Sequence, residues 1–256
     1  MSLLLVVFAL LGLFVGSFLN VCIDRLPRRQ SIINPPSHCP ACNRKLGILD
    51  LVPIFSYLWL RGRCRYCRAR IPIRLPIVEG VTGFLFAFLY WKSGLGIELG
   101  ILLAYSSLLT VIFVIDLENQ LILDKITYPA MLLALAFSFF RPELRSFSFF
   151  WPGLGVESSL IGGVFGLALM ALPFILYRRG MGMGDVKLAA LVGLMTGFPL
   201  VILAVLLAWI SGGLVAGILL AFKIKGTKDP IPSGTFLAVS AMVTLLWGEA
   251  IWQWYL

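Results

Sequence analysis

Long apolar runs with abrupt polar breaks set the pattern of this chain. Apolar residues dominate 3–22, 76–91, 97–115, 126–140, 159–177, 188–198, 199–222 and 231–254. Runs of this kind predict membrane-crossing helices rather than the alternating strands of a barrel. The reading is an all-α polytopic membrane protein with about eight transmembrane segments. Residues 188–198 are too short to cross a ~30 Å hydrocarbon core at ~1.5 Å per residue. That helix is expected to begin earlier, near Asp185, or to stop short of one face. Gly197-Phe198-Pro199 fits a tight turn or a kink.

One long polar interruption, 23–75, breaks the pattern. It carries 11 of the 21 Lys and Arg residues, four cysteines and several prolines. Residues 1–21 lack the basic leader of a cleavable signal and run into this basic flank, which predicts a first membrane anchor with its N-terminus outside. Threading eight segments from there puts loops 23–75, 116–125, 178–187 and 223–230 inside with 18 basic residues, and loops 92–96 and 141–158 outside with three. That asymmetry predicts a cytoplasmic cysteine loop and both termini outside.

Composition agrees. Of 256 residues, 60% are hydrophobic and only 13% charged, about half the charged share of a soluble domain. Soluble, fibrous, disordered and disulfide-scaffold classes are excluded. The net charge of +9 is accounted for by basic loops that set topology, so nucleic acid is not an expected partner.

Cys39-Pro40-Ala41-Cys42 and Cys64-Arg65-Tyr66-Cys67 form two C-x2-C knuckles separated by 21 residues. Two knuckles can complete a tetrahedral site of four thiolates, of the zinc-ribbon kind. Nearby Arg and Lys favour the thiolate form. A pair of disulfides is the competing reading, disfavoured by the cytoplasmic placement. Such a closed site is structural and holds the loop together. His38, the only histidine, has no vacancy to fill there, and Cys22 reads as a packed small residue.

Carboxylates are scarce in a chain of this kind, so their positions matter. Asp116 closes the run 97–115, and Asp185 opens the next helix within Gly182-Met183-Gly184-Asp185-Val186-Lys187. Taken singly, each could be an interfacial residue or, for Asp185 above all, a helix cap. Taken together, both fall on the cytoplasmic side at similar depth. Two neighbouring carboxylates cannot both ionise easily, so one keeps a proton and the pair offers a base and an acid. Glycines 180, 182 and 184 would let backbone and substrate approach closely. Asp124, a candidate N-cap near the site, Glu118 and Glu79 are secondary candidates. Glu79 could pair with an Arg such as Arg74 or contact a cofactor.

These residues resemble the prepilin peptidases, or type IV leader peptidases, of the G-x-G-D intramembrane aspartic proteases. The resemblance runs nearly end to end. It is carried by Gly16-Ser17-Phe18-Leu19-Asn20-Val21, Arg25-Leu26-Pro27, Pro36-Ser37-His38-Cys39-Pro40-Ala41-Cys42, Pro76-Ile77-Val78-Glu79-Gly80, Ile115-Asp116-Leu117-Glu118 and Gly182-Met183-Gly184-Asp185-Val186-Lys187-Leu188. It implies that Asp116 and Asp185 are the catalytic pair, with Gly182, Gly184, Lys187 and Asp124 supporting the site. The implied substrates are prepilins and pseudopilins, cleaved after a glycine on the cytoplasmic side of the inner membrane. It also implies N-methylation of the new terminus from S-adenosylmethionine; Glu79, next to the cysteine loop, is the candidate residue for that step, and Cys39, Cys42, Cys64 and Cys67 are by their spacing the candidate zinc ligands. The implied division is a first helix at 1–22, a small zinc-binding domain of four cysteines at 23–75 and a membrane peptidase domain at 76–256. Two departures stand out: Leu123 where the family often has proline, and Ile231-Pro232-Ser233-Gly234-Thr235-Phe236 in place of its proline- and phenylalanine-rich turn. Both bear on substrate preference. The alternatives are a peptidase without methylation and, from another class, a non-enzymatic scaffold or transporter with a zinc-stabilised loop.

Overall fold

The computed structural model describes residues 2–140, 155–176, 182–223, 226 and 232–255. Regular structure among them is helical: α1 (Ser2–Arg25), α2 (Phe55–Trp59), α3 (Arg74–Ser93), α4 (Ile97–Asn119), α5 (Asp124–Ser138), α6 (Gly155–Leu176), α7 (Met183–Thr196), α8 (Leu200–Ala221) and α9 (Ser233–Tyr255), with a short 3-10 turn at Ile48–Asp50. Much of loops 141–158, 178–187 and 223–230, including Gly180, lies outside the described residues.

Each apolar run carries a helix, but the expected count of spans needs correction. Among the described residues six helices are long and apolar enough to cross a membrane: α1, α3, α4, α6, α8 and α9. α5 has 15 residues and α7 has 14, or about 21–23 Å of rise, which falls short of the hydrocarbon core. α7 is apolar all round because protein surrounds it. Leu188, Ala189, Leu191, Val192 and Met195 are fully buried, and α5, α6, α8 and α9 all pack against it. It begins at Met183, two residues before Asp185, as the short run anticipated. Gly197, at φ 75°, ends it as a turn before α8.

The chain forms two compact units, Met1–Val111 and Ile112–Leu256. In the first, α1 and α3 lie along each other. A Cβ on Gly12 or Gly16 would come within 2.6–2.8 Å of α3 backbone, so small residues permit the close approach that drives helix association in lipid. Asn20 Nδ2 donates to the Leu75 carbonyl at 3.0 Å, and Arg74 pairs with Asp24 at 2.6 Å. The outer face of α1, with Leu3, Val6, Phe14 and Phe18, is exposed and suited to lipid. In the second unit α6 and α7 meet through Gly162, Gly166 and Gly193, where any Cβ would strike backbone at 2.1–2.5 Å.

Candidate active site and metal site

In the second unit, Asp116 sits in the last turns of α4 and is 4% exposed; Asp185 sits in the first turn of α7 and is 7% exposed. The start of α9 meets both. Asp116 Oδ2 accepts the Thr235 backbone N–H at 2.7 Å and the Thr235 hydroxyl at 3.0 Å. The Gly234 N–H also points to Asp116, and the Ser233 side chain hydrogen-bonds Asp185. The two carboxylates are near enough to interact electrostatically. Three consecutive residues of α9 thus connect the two acids, while hydrophobic neighbours keep bulk water off them.

Asp185 also serves as a cap, though not from the N-cap position. It is the third residue of α7, and its Oδ2 accepts the N–H of the N-cap Gly182 at 3.1 Å. This is the acidic half of a capping box. Asp124 is not the N-cap of α5: that position is Leu123, and Asp124 is the first helical residue. Its carboxylate instead takes Lys187 Nζ at 2.7 Å, with Lys187 also lying 5.2 Å from the Tyr128 ring centre. Lys187 and Asp124 therefore join the starts of α7 and α5. Glu118 is exposed at the end of α4.

The glycines differ in what they permit. A Cβ on Gly184 would lie 2.9 Å from Ile122 Cβ, whereas one on Gly182 would meet nothing nearer than 3.6 Å. A Cβ on Gly234 would lie 3.0 Å from both Asp116 Oδ2 and Ile122 Cδ1. Ile122 thus fits against Gly184 on one side and Gly234 on the other, between the start of α7 that carries Asp185 and the α9 turn that binds the acids. Sequence reasoning tied Ser233, Gly234 and Thr235 only to substrate preference, and gave no role to Ile122. The only signal was that 231–236 opens the last apolar run with two hydroxyls around a glycine.

In the first unit, the Sγ atoms of Cys39, Cys42, Cys64 and Cys67 all lie within 4.8 Å of one another and could hold a metal ion. The Cys39–Cys67 separation is 3.8 Å, matching the ~3.8 Å edge of a tetrahedron with ~2.3 Å metal–sulfur bonds. The two knuckles share one geometry. Cys39 N–H donates to Arg44 O and Cys64 N–H to Ala69 O, and the residues after the second cysteines, Asn43 and Arg68, have φ of 53° and 60°. The backbone N–H groups of Cys67 and Tyr66 lower the Cys64 thiol to about 7. For Cys67 the Ala69 N–H pulls downward, but desolvation and the neighbouring thiols of Cys64, Cys42 and Cys39 push it up to about 11. His38 hydrogen-bonds the Pro36 carbonyl, and Cys22 is buried on α1.

Glu79 is buried on α3. Its Oε2 accepts the Ile54 N–H at 2.8 Å, and its carboxylate also hydrogen-bonds Ser17 of α1. One turn away, Asn20 Oδ1 is buried with no hydrogen-bond partner among the described residues.

Residues 10–93 match the bacterial peptidase A24 N-terminal domain, and residues 103–217 match the type IV leader peptidase family. Similar curated proteins include the prepilin leader peptidase/N-methyltransferases of Stutzerimonas stutzeri (32% identical, covering 96% of this chain and 91% of the relative), Pseudomonas aeruginosa (31%, 96% and 91%) and Bacillus subtilis (30%, 96% and 95%). No solved structure matches the chain.

Proposed function

The chain belongs to the type IV leader peptidase family, and we propose that it removes the leader of prepilins and pseudopilins with Asp116 and Asp185 and then N-methylates the new terminus. The observation that carries the peptidase reading is the single α9 turn, Ser233-Gly234-Thr235, that hydrogen-bonds both buried acids. In this reading a water enters between the carboxylates. One takes its proton as oxygen attacks the carbonyl of the leader's last residue, a glycine, and the other protonates the carbonyl oxygen. Collapse of the tetrahedral intermediate breaks the C–N bond and sends a proton to the leaving amine. Gly182 leaves room for an extended substrate backbone, while Gly184 makes room for Ile122. Lys187 and Asp124 hold the starts of α7 and α5 in register around the site.

The methyl group comes from S-adenosylmethionine in this reading. The groups that fit an amine are the Glu79 carboxylate and the unpartnered Asn20 Oδ1, two acceptors buried in the α1–α3 seam. Both favour a cationic or N–H-bearing group over an anion. Zinc is the metal we assign to Cys39, Cys42, Cys64 and Cys67, since four thiolates at this spacing suit it and leave no open position. Its role is to hold loop 23–75 together.

The arrangement we favour is a first helix at 1–22, a cytoplasmic four-cysteine domain at 23–75 and a membrane peptidase domain at 76–256, placed in the inner membrane. The 11 basic residues of 23–75, against Lys92 alone in 92–96, support that orientation. Mass spectrometry of a model prepilin, incubated with purified protein and S-adenosylmethionine, tests both activities. The expected product lacks the leader and is about 14 Da heavier at its new terminus, the mass of one added CH2. Uncleaved prepilin would overturn the assignment.

A further inference from the structure

Between the cysteine knuckles, the chain turns its largest apolar side chains outward. Ile48 is 86% exposed, Leu49 70%, Phe55 64%, Leu58 65% and Trp59 85%. They belong to the Ile48–Asp50 turn and α2, which pack on each other, so they form one patch rather than scattered exceptions. A contiguous apolar patch of this kind marks a surface that meets something other than water.

The position of the patch indicates what covers it. Ile54, directly before α2, donates its N–H to Glu79 Oε2 at 2.8 Å, and its Cδ1 lies 3.6 Å from where a Cβ on Gly80 would stand. Glu79 is five residues into α3, about 7.5 Å along the axis from Arg74. α3 is one of the six helices able to cross the membrane. The α2 segment therefore sits level with the first turns of a spanning helix, the depth of the headgroup–acyl boundary.

The charges beside it are mostly basic: Asp50 of the turn is paired with Arg65 at 2.6 Å, and the other charges nearby are arginines. Arg61, Arg63, Arg68 and Arg70 follow α2 and are exposed. Arg63 and Arg70 face each other across an antiparallel bridge, a like-charge pairing that is unfavourable unless an anion lies between them. Large apolar groups at the acyl boundary, a tryptophan, and arginines at phosphate level are the features of a segment that lies in the membrane surface.

We propose that residues 48–59 form an interfacial anchor that lies in the leaflet on the cysteine side, with Ile48, Leu49, Phe55, Leu58 and Trp59 among the acyl chains and Arg63 and Arg70 on phospholipid phosphates. The anchor fixes the height of the cysteine knuckles above the bilayer. It rests on the membrane reading of the chain and not on its peptidase activity, so failure of one leaves the other standing.

The test uses the full-length protein in vesicles of phosphatidylcholine with or without phosphatidylglycerol. A benzophenone amino acid replaces Trp59, and the irradiated protein is weighed intact. The expected result is an added mass equal to one phospholipid. Adducts only with added prepilin or with a second copy of the chain, or no adduct, would overturn the proposal. In a second arm, Arg63→Gln/Arg70→Gln should weaken the preference for phosphatidylglycerol over phosphatidylcholine about fivefold or more. An unchanged preference would remove the phosphate contact from the assignment.

Discussion

Thr235 binds one oxygen of Asp116 twice, through its backbone N–H at 2.7 Å and its hydroxyl at 3.0 Å. The two donors converge on Oδ2 from the first turn of α9, 119 residues along the chain. They hold one oxygen of a buried acid in place. Ser233, two residues earlier, makes the matching contact to Asp185. α9 therefore orients the pair although it carries neither acid.

Replacing Thr235 separates these contributions. Thr235→Val keeps size and the backbone N–H and removes only the hydroxyl. A hydrogen bond to a charged group contributes about 1.5–3 kcal/mol, so turnover of a model prepilin should fall about 10- to 100-fold. Thr235→Ser should restore it. The pH–rate profile should shift in the valine variant, because the hydroxyl acts on one acid of a coupled pair. Equal turnover for threonine and valine, with an unchanged profile, would reduce Thr235 to a packing residue.

The sequence made much of this fold legible, for physical reasons that can be named. A spanning helix must satisfy its backbone internally and present apolar side chains for about 20 residues, so α1, α3, α4, α6, α8 and α9 stand out as runs. α5 and α7 share that hydropathy, yet α7 owes it to burial among other helices, and composition cannot separate protein from lipid surroundings. The cysteines are legible because a tetrahedral site needs a fixed local spacing. Asp116 and Asp185 are conspicuous because charge is rare in apolar runs. Thr235, Ser233 and Ile122 are not: hydroxyls and isoleucines are common in membrane helices, and only the tertiary arrangement brings these to the acids.

Ile122 makes the glycine turn selective. Gly184→Ala places a Cβ 2.9 Å from Ile122 Cβ, an atom held close to the backbone, whereas Gly182→Ala meets nothing nearer than 3.6 Å. Overpacking of this kind costs about 1–3 kcal/mol. Thermal unfolding in detergent should therefore show Gly184→Ala clearly destabilised and less active, with Gly182→Ala near the parent in stability. Equal stability of the two variants would mean that the site yields around Ile122.

Metal removal gives a third outcome. Elemental analysis should find about one zinc per chain, and Cys42→Ser or Cys64→Ser should lower it sharply by opening the tetrahedron. Thiols must lose protons to bind, so uptake releases protons and acid competes with the ion. With Cys64 lowered to about 7 and Cys67 raised to about 11 before metal binds, metal-free protein should take up zinc more weakly as pH falls. Protease nicking within 23–75 should rise when a chelator strips the ion. Protein isolated with no metal and its four thiols oxidised in pairs would contradict this reading.

Glu79 has two candidate roles that one substitution divides. Its carboxylate holds the Ile54 N–H and Ser17, and we assign it to orienting the new amino terminus or the methyl donor. Glu79→Gln keeps an oxygen able to accept the Ile54 N–H but loses the charge. Cleavage should persist while methylation drops, read from the same mass spectrum. If both activities fall in parallel, Glu79 is a structural tie between α3 and the cysteine segment.

The strongest prediction concerns the acids. Asn at position 116 or 185 keeps the size and one carbonyl oxygen of the side chain, so Asp116→Asn can still accept from Thr235, and Asp185→Asn can still accept the Gly182 N–H that caps α7. Neither amide can take a proton from water and return it to the leaving amine. Each substitution should therefore cut cleavage by about a thousandfold or more, since general acid–base help alone contributes roughly 10²–10⁴-fold and the two acids act as a unit. The double variant should be little worse than either single one for the same reason. Unfolding temperature separates this outcome from loss of structure. The α7 cap predicts a modest decrease for Asp185→Asn, while Asp116→Asn stays close to the parent. Near-parental turnover in either folded variant would make that residue a cap or an interfacial anchor, and the water would need another base.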